Sequence, residues 1–279
     1  MIDCDDDAYA TAARLINEAE DILITAGAGM GVDSGLPDFR GAEGFWKAYP
    51  ALAKSGLHFQ TIASPDSFKT RPRMAWGFYG HRLNLYRHTI PHDGFQILLD
   101  LANSMPKRAF IFTSNVDNQF GKAGFRDSET CEVHGSIHHL QCLDGCTGDI
   151  WPAQGFDPQV DEEQCLLLSD FPACPHCGGM ARPNILMFND WGWLESRYKI
   201  QDHAFQQWLR TVERPVVIEL GAGTSIPTVR MVGQQIGCPV IRINPREYQV
   251  PRKTDVSLPV GALEGLRGMA ARLSQMGCT

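Results

Sequence analysis

Short apolar runs recur along the chain and alternate with segments of helical periodicity. Four β-rich runs cover residues 21–25, 108–114, 215–220 and 239–244, while segments such as 6–19 and 95–102 have helical character. Strands that are apolar nearly throughout, separated by helices, are typical of a parallel sheet covered on both faces. The pattern predicts an α/β fold with a Rossmann-like parallel sheet. In such sheets ligands bind beyond the carboxyl ends of the strands.

Two stretches interrupt this alternation. Residues 41–92 are rich in aromatic residues and proline, with a helical part at 73–87, and residues 141–182 have little periodicity but contain close cysteine pairs. We interpret both stretches as insertions that form a second, smaller lobe. The sequence predicts one domain over residues 1–279. Its Rossmann-like lobe would comprise residues 1–40, 93–136 and 183–279, and its small lobe a helical insertion, 41–92, and a cysteine module, 137–182.

Composition and charge narrow the range of partners. The chain has 279 residues, of which 43% are hydrophobic, so it can bury a substantial core. Its formal net charge is −7 and it has no long Lys/Arg run, which argues against nucleic acid as a partner. The acidic N-terminus lacks the pattern of a secretory signal, and no apolar run approaches the ~18 residues of a membrane-spanning helix. We expect a cytoplasmic protein with no membrane partner.

The cysteines point to a metal. An odd count of nine, in a large chain without a signal sequence, favours metal ligands or free thiols over a disulfide framework. Two close pairs come from separate segments, and four thiolates can surround Zn²⁺ tetrahedrally with no position left for substrate. The sequence predicts a structural zinc site formed by Cys142, Cys146, Cys174 and Cys177. Unliganded thiols are the alternative.

Glycine-rich or polar segments follow the predicted strands. Gly27, Gly29 and Gly31 would let the backbone approach a pyrophosphate. The G-x-G-x-x-G pattern is incomplete, because Val32 stands at its third glycine and no acidic residue follows at the usual place for a ribose hydroxyl. A tight turn without a ligand is the alternative. Two further blocks are N-V-D at 115–117 and E-V-H-G at 132–135, each weak alone, and a glycine-rich turn at 221–225 follows the predicted strand 215–220.

In this order, these blocks resemble the sirtuin family of NAD-dependent protein deacylases over about residues 15–265. The stretch G-A-G-x-x-x-x-S-G-x-P-D-F-R-G at 27–41 is highly specific. The resemblance implies one catalytic domain of bacterial type, with NAD as cosubstrate and acyl-lysine proteins or peptides as partners. The expected products are free lysine, nicotinamide and O-acyl-ADP-ribose.

The resemblance also assigns roles to residues. His134 matches the catalytic histidine, and Asn115 and Asp117 match the nicotinamide pocket. The implied NAD-binding residues are Ala26, Gly27, Ala28, Phe39, Arg40, Ser114, Asn115, Asp117, Gly223, Thr224, Ser225, Asn244 and Ala262.

The chain departs from the family pattern at two places. Ser114 replaces a glutamine, and Asn189 and Asp190 stand where the family usually has G-E. These departures leave a protein ADP-ribosyltransferase as an alternative function. A non-catalytic sensor of NAD or ADP-ribose is a second alternative. Retention of His134 with Asn115 and Asp117 favours deacylation over both.

A helical aromatic segment bears on the acyl group. Tyr79 and Arg82 are three residues apart, so they share a helix face, and an arginine can bind a carboxylate with two parallel hydrogen bonds. From the spacing alone, an ordinary surface pair is the alternative. The Y-x-x-R sequence resembles the signature of sirtuins that remove succinyl, malonyl and glutaryl groups, and Ala51 resembles the small residue that widens their acyl pocket. The hypothesis is a preference for succinyl- or malonyl-lysine, with a plain deacetylase as the alternative.

Overall fold

The computed structural model describes residues 4–38, 49–54, 56–105 and 109–277. The strands in these ranges are β1 (Asp21–Ala26), β2 (Phe110–Thr113), β3 (Thr130–Glu132), β4 (Gly135–Cys142), β5 (Ile150–Pro152), β6 (Val160–Asp161), β7 (Leu166–Leu167), β8 (Ala181–Ile185), β9 (Pro215–Leu220), β10 (Val240–Ile243) and β11 (Val256–Leu258). The α-helices are α1 (Cys4–Glu18), α2 (Pro50–Lys54), α3 (Phe59–Ile62), α4 (Pro65–Thr70), α5 (Pro72–His88), α6 (Asp93–Ser104), α7 (Gln119–Lys122), α8 (Ser196–Leu209), α9 (Thr228–Gln235) and α10 (Ala262–Gln275), with 3-10 turns at Ala28–Ser34 and Asp127–Glu129.

The main sheet is parallel, with strand order β11-β10-β9-β1-β2-β3. Strand β1 pairs with β9 on one side and with β2 on the other. The chain leaves β1 towards β2, whereas β9, β10 and β11 build the opposite half of the sheet. The order of connection therefore reverses between β1 and β9, and ligands of such sheets bind in the crevice that opens there. This topology confirms the predicted α/β, Rossmann-like fold.

Alternating side chains of β1 bury both faces of the sheet. Ile22 and Ile24 belong to one apolar cluster, which includes residues of α1, α6 and α10. Leu23 points to the other face and belongs to a second cluster, which includes Phe205 of α8 and Val229 of α9. Because helices cover both faces, the strands are apolar nearly throughout, as the sequence pattern indicated.

A further apolar cluster joins the two inserted stretches. It contains residues of α2 to α5 together with residues of the antiparallel sheet β5-β4-β8. Trp76 of α5 is fully buried, and its indole nitrogen donates to the Ala181 carbonyl of β8 at 3.1 Å. A side chain at Gly77 would place Cβ 2.1 Å from the Cys165 carbonyl oxygen, so α5 packs closely on the cysteine module. The division into two lobes, with its boundaries, stays a prediction.

Two strands of the main sheet are absent from the sequence prediction. β3 and β11 have three residues each, which is too short for a hydrophobic run to be recognised. Within the described ranges, no helix has the length and apolar character needed to cross a membrane.

Candidate active site

A cavity of about 280 Å³ lies where the chain leaves β1, β2 and β3. Side chains from distant parts of the sequence converge on it. The predicted site residues that line it are Ala28, Tyr79, Arg82, Ser114, Asn115, Asp117 and His134. The cavity therefore joins the N-V-D block, the E-V-H-G block and the Y-x-x-R segment of α5.

Hydrogen bonds tie Asn115 to the glycine-rich segment. Its side-chain amide donates to the Gly27 carbonyl at 3.0 Å, and its backbone N–H donates to the Thr113 hydroxyl at 3.0 Å. That hydroxyl donates in turn to the Ala26 carbonyl at 3.0 Å. The carboxyl ends of β1 and β2 are thus linked, and the Asn115 amide is held in one orientation at the cavity wall.

Asp117 is a buried carboxyl group in the same wall. It is 7% exposed, and its Oδ1 accepts the Gln119 backbone N–H at 3.0 Å. Burial raises the pKa of Asp117 to about 6, although this hydrogen bond and the positive charges of Arg82 and Lys122 act in the opposite direction. The ionised form therefore carries a cost in the folded protein that it would not carry at the surface.

His134 lies on the tight turn between β3 and β4. It is half-buried, and its carbonyl accepts the Leu186 N–H at 2.9 Å. Gly135 has φ 76°, and a Cβ there would lie 2.2 Å from the Asn184 carbonyl oxygen, so the E-V-H-G turn requires glycine at this position. This close packing on the strand β8 and the segment after it fixes the backbone that carries the histidine.

Glu132 forms a buried ion pair behind the histidine. It is 4% exposed and lies 2.6 Å from the Arg197 guanidinium of α8. Burial raises the pKa of Glu132 to about 7, despite the neighbouring positive charge of Arg197. The ion pair ties β3 to α8 and so supports the strand that leads into His134.

Arg82 is enclosed by aromatic rings. The residue is 8% exposed, and its guanidinium carbon lies 5.2, 5.7 and 5.4 Å from the ring centroids of Phe78, Tyr79 and Tyr86. Its guanidinium donates to the hydroxyl of Tyr86, a residue outside the Y-x-x-R sequence, at 2.8 and 3.1 Å. Sequence reasoning missed Tyr86, although a residue four positions after Arg82 shares its helix face. Tyr79 itself is buried and stacks on Phe68.

The glycine-rich segment after β1 contacts the loop after β9. A Cβ at Gly27 would lie 2.7 Å from the Gly221 carbonyl oxygen, and a Cβ at Gly29 would lie 2.6 Å from the Gly221 Cα. Both glycines thus allow two backbones to approach each other, which is a second reason for glycine besides access for a pyrophosphate. The contact closes the crevice between β1 and β9 at its base.

The other end of the crevice carries the G-T-S segment and Asn244. Gly223 is half-buried and Thr224 and Ser225 are exposed at the loop after β9. The Asn244 side chain donates to the Ala222 carbonyl at 3.0 Å, which joins the ends of β9 and β10. Ala26 ends β1 and Ala262 begins α10, and both are buried. Five of these six predicted residues follow or end strands at one edge of the sheet, and the sixth, Ala262, starts a helix.

Of the remaining predicted residues, Ala51 is not among those that line the cavity. Phe39 and Arg40 lie outside the described residues. Ala51 is half-buried on α2 and packs against the apolar cluster of the inserted stretches. Its effect on the width of an acyl pocket stays a prediction.

The four predicted zinc ligands are brought together. Their Sγ atoms all lie within 4.8 Å of one another, with 3.8 Å between Cys142 and Cys177 and 3.5 Å between Cys146 and Cys174. A tetrahedral Zn²⁺ with sulfur ligands at about 2.3 Å needs sulfur atoms close to these separations. The donor set therefore fits zinc, and four thiolates would complete its shell, so the metal would be structural.

Comparisons with known proteins agree with this geometry. The sequence model described as "Sir2 family" matches residues 27–222. An NAD-dependent protein deacylase of Thermococcus kodakarensis is 31% identical over 179 residues, which are 64% of this chain and 63% of that protein. The match to this relative spans less than two thirds of its length. An NAD-dependent protein deacylase of Aquifex aeolicus is 25% identical over 88% of this chain and 92% of its own.

The fold also matches solved structures. A Sir2 homologue in complex with NAD has a TM-score of 0.71 and 23% identity, and the match covers 96% of this chain and 94% of the other. The likeness extends over nearly the whole chain, including the inserted stretches.

Proposed function

Since the chain belongs to the Sir2 family, we propose that it is an NAD-dependent protein lysine deacylase that prefers acidic acyl groups. One observation carries the proposal: His134, Asn115 and Asp117 line the same cavity as Arg82. The first three supply the groups needed to act on NAD, and Arg82 supplies a positive charge for the acyl chain. The two relatives named as deacylases support the general activity.

The crevice between β1 and β9 fits a dinucleotide. Such ligands bind where strand order reverses, and here the loops after β1, β9 and β10 meet at one edge. NAD would supply the ribose carbon to which the acyl oxygen bonds, the ribose hydroxyl that finally receives the acyl group, and nicotinamide as the leaving group. Asn115, which is held against the Gly27 carbonyl, and the buried Asp117 would hold the nicotinamide amide.

His134 would act as the general base. A histidine titrates near neutral pH and can take a proton from a ribose hydroxyl. The acyl-lysine oxygen would bond to the ribose carbon as the nicotinamide bond breaks. The activated hydroxyl would then attack the resulting imidate, and hydrolysis would give free lysine and O-acyl-ADP-ribose.

Arg82 would select acidic acyl groups. Its guanidinium is enclosed by three aromatic rings in the cavity wall, where a charged contact is screened less than at the surface. Two parallel hydrogen bonds from arginine match a carboxylate, and the Tyr79 hydroxyl could add a third. A succinyl or malonyl group ends in a carboxylate, whereas an acetyl group has no group for this contact.

Protein ADP-ribosyl transfer is the alternative function, because Asn189 and Asp190 depart from the family pattern. Asp190 forms a buried bidentate ion pair with Arg182, at 2.7 and 2.8 Å, in place of the glutamate of the family pattern. To separate the two, the purified protein is incubated with NAD carrying a labelled adenine and with a succinyl-lysine peptide. Deacylation predicts label in O-succinyl-ADP-ribose and none on protein. Label that stays on protein, with the peptide unchanged, would favour ADP-ribosyl transfer.

A further inference from the structure

Trp191 is an exposed aromatic residue near the mouth of the cavity. Its exposed fraction of 99% is the highest among the large apolar residues of the described ranges. It lies three positions after Phe188, which lines the cavity, and three residues of chain span at most about 11 Å. A single exposed apolar residue is common on protein surfaces, so the case for a role depends on how Trp191 is held and on what lies beside it.

A buried ion pair fixes the chain on both sides of Trp191. The Asp190 carboxylate accepts two hydrogen bonds from the Arg182 guanidinium, at 2.7 and 2.8 Å, and both side chains are at most 2% exposed. The same carboxylate accepts the Gly192 backbone N–H at 3.2 Å. Trp191 stands between two residues that share one buried group, so its backbone is held in place.

Two buried amide side chains hold the end of this turn. The Gln141 side chain donates to the Gly192 carbonyl at 2.7 Å, and its oxygen accepts the Leu194 N–H at 3.1 Å. That oxygen also accepts the Asn184 side chain at 2.9 Å. Both amide side chains belong to buried residues of β4 and β8. The turn is therefore pre-organised, and an aromatic side chain on such a turn loses little conformational entropy when it binds a partner.

The chain between the cavity and Trp191 runs along the rim of the cavity. Leu186, Met187 and Phe188 line the cavity, and Leu186 is also 40% exposed. A residue that both lines a cavity and reaches solvent marks its edge. A polypeptide whose acyl-lysine enters this cavity would have its neighbouring residues close to Trp191. An extended chain advances about 3.3 Å per residue, so positions within about three residues of the lysine can reach the indole.

We propose that Trp191 binds a large apolar side chain of the substrate polypeptide, within about three residues of the acyl-lysine. The inference rests on the proposed function, because it takes acyl-lysine as the ligand of the cavity. Tryptophan is enriched among the residues that contribute most of the binding energy in interfaces, since its ring buries a large apolar area. Leu186 exposes further apolar surface on the same segment. Trp191 would thus select the substrate sequence, whereas Arg82 would select the acyl group.

Kinetics with matched substrates test this assignment on the full chain. One substrate is a single succinyl-lysine with acetylated and amidated ends, which has no neighbouring residues. The others are peptides with Phe, Ala or Arg at each of the three positions on either side of succinyl-lysine. The proteins are wild type, Trp191→Ala, Trp191→Phe and Ile90→Ala, and circular dichroism shows whether each is folded. Ile90 is 81% exposed between α5 and α6, so it controls for loss of exposed apolar surface.

At one or more positions, wild type should have a KM at least about tenfold lower for the Phe peptide than for the Ala peptide, with a similar kcat. Trp191→Ala should remove this difference, whereas Trp191→Phe and Ile90→Ala should retain most of it. The loss in Trp191→Ala should be larger on the Phe peptide than on the single succinyl-lysine, which has no side chain for the indole.

Three kinetic results would overturn the assignment. A folded Trp191→Ala variant could keep the wild-type preference, or its losses could be equal on the Phe peptide and the single succinyl-lysine, as expected if Trp191 only supports the cavity. Wild type could also prefer Arg to Phe, as expected if the indole binds a cation. Dimers of wild type that Trp191→Ala abolishes, seen by sedimentation velocity, would make a second copy the occupant and would also overturn it.

Calorimetry with the Phe and Ala peptides, without NAD, makes the same comparison independently of turnover. Wild type should bind the Phe peptide at least about tenfold more tightly, and Trp191→Ala should not. If this difference is found but wild type removes no acyl group in the presence of NAD, the proposed function fails while the binding role of Trp191 stands.

Discussion

The guanidinium of Arg82 donates two hydrogen bonds to the hydroxyl of Tyr86, one helical turn further along α5, at 2.8 and 3.1 Å. Arg82 also lines the cavity that His134 and Asn115 share. The tyrosine therefore holds the guanidinium in the cavity wall. This arrangement separates recognition of the acyl group from the chemistry on NAD.

Arg82→Met should lower kcat/KM for a succinyl-lysine peptide by roughly 10- to 150-fold. This range corresponds to the loss of a hydrogen bond to a charged group, which contributes about 1.5–3 kcal/mol. Removal of an acetyl group should be unchanged or improved, because an acetyl group offers no carboxylate. Steady-state kinetics with two peptides that differ only in the acyl group measure the effect. Equal losses on the two substrates would contradict the assignment.

Tyr86→Phe is the matched variant for the orientation of Arg82. It removes the hydroxyl that accepts from the guanidinium and keeps the ring and the positive charge. We expect a smaller loss of desuccinylation than in Arg82→Met, seen mainly as a higher KM. A Tyr86→Phe enzyme with wild-type kinetics on the succinyl peptide would show that the hydroxyl does not orient Arg82.

The spacing of Tyr79 and Arg82 predicts that both lie on one face of a recognisable helix, and the resemblance to the sirtuin family assigned that face to the acyl site. Which hydroxyl Arg82 contacts could not be predicted, because Tyr79 and Tyr86 both lie near it on α5 and tertiary packing decides between them. Tyr79 is turned onto Phe68, and this leaves Tyr86 as the acceptor.

His134→Ala should lower deacylation by ~10²- to 10⁴-fold, because a general base acts in the chemical step. NAD binding should change little, because the segments proposed to hold NAD, the glycine-rich segment and the loops after β9 and β10, lie on other parts of the chain. Single-turnover kinetics and calorimetry with NAD report the two effects separately. Deacylation within a few-fold of wild type would remove His134 from the role of base.

Asp117→Asn should stabilise the protein at pH 7.5 while impairing its reaction with NAD. Burial raises the pKa of Asp117 from 3.8 to about 6, so ionisation in the folded state carries a cost that is complete above pH 6 and absent below pH 4. Asparagine keeps an oxygen for the Gln119 N–H and has no charge, so the free energy of unfolding should rise by about 2–3 kcal/mol. Urea unfolding at pH 7.5 and pH 4 tests this, and a gain that does not shrink at the lower pH would contradict it.

We expect the purified protein to contain about one equivalent of Zn²⁺ per chain, because four thiolates bind one ion. Cys174→Ala should lower the unfolding temperature of the protein, since the affinity for a structural metal contributes to folding. Cys238→Ala, at a half-buried cysteine outside the cluster, is the control. Metal analysis by mass spectrometry that finds no zinc in folded, active protein would remove the four cysteines from this role.

The residues at the carboxyl ends of β1, β9 and β10 could be predicted only in part. The G-T-S segment and Asn244 were assigned to the site through the resemblance to the sirtuin family. The role of Gly27 and Gly29 in contacting Gly221 could not be predicted, because the two loops are far apart in the chain and meet only when β1 pairs with β9.

NAD-dependent deacylation is tested by mass spectrometry of a lysine peptide, carrying either a succinyl or an acetyl group, that is incubated with the protein in the presence and absence of NAD. We expect both acyl groups to be lost only when NAD is present and the succinyl group to be lost faster. Nicotinamide and the O-acyl-ADP-ribose of matching mass should appear in equal amounts. Two results would contradict NAD-dependent deacylation. In the first, the acyl peptides stay intact although the protein binds NAD; in the second, an acyl group is lost without NAD.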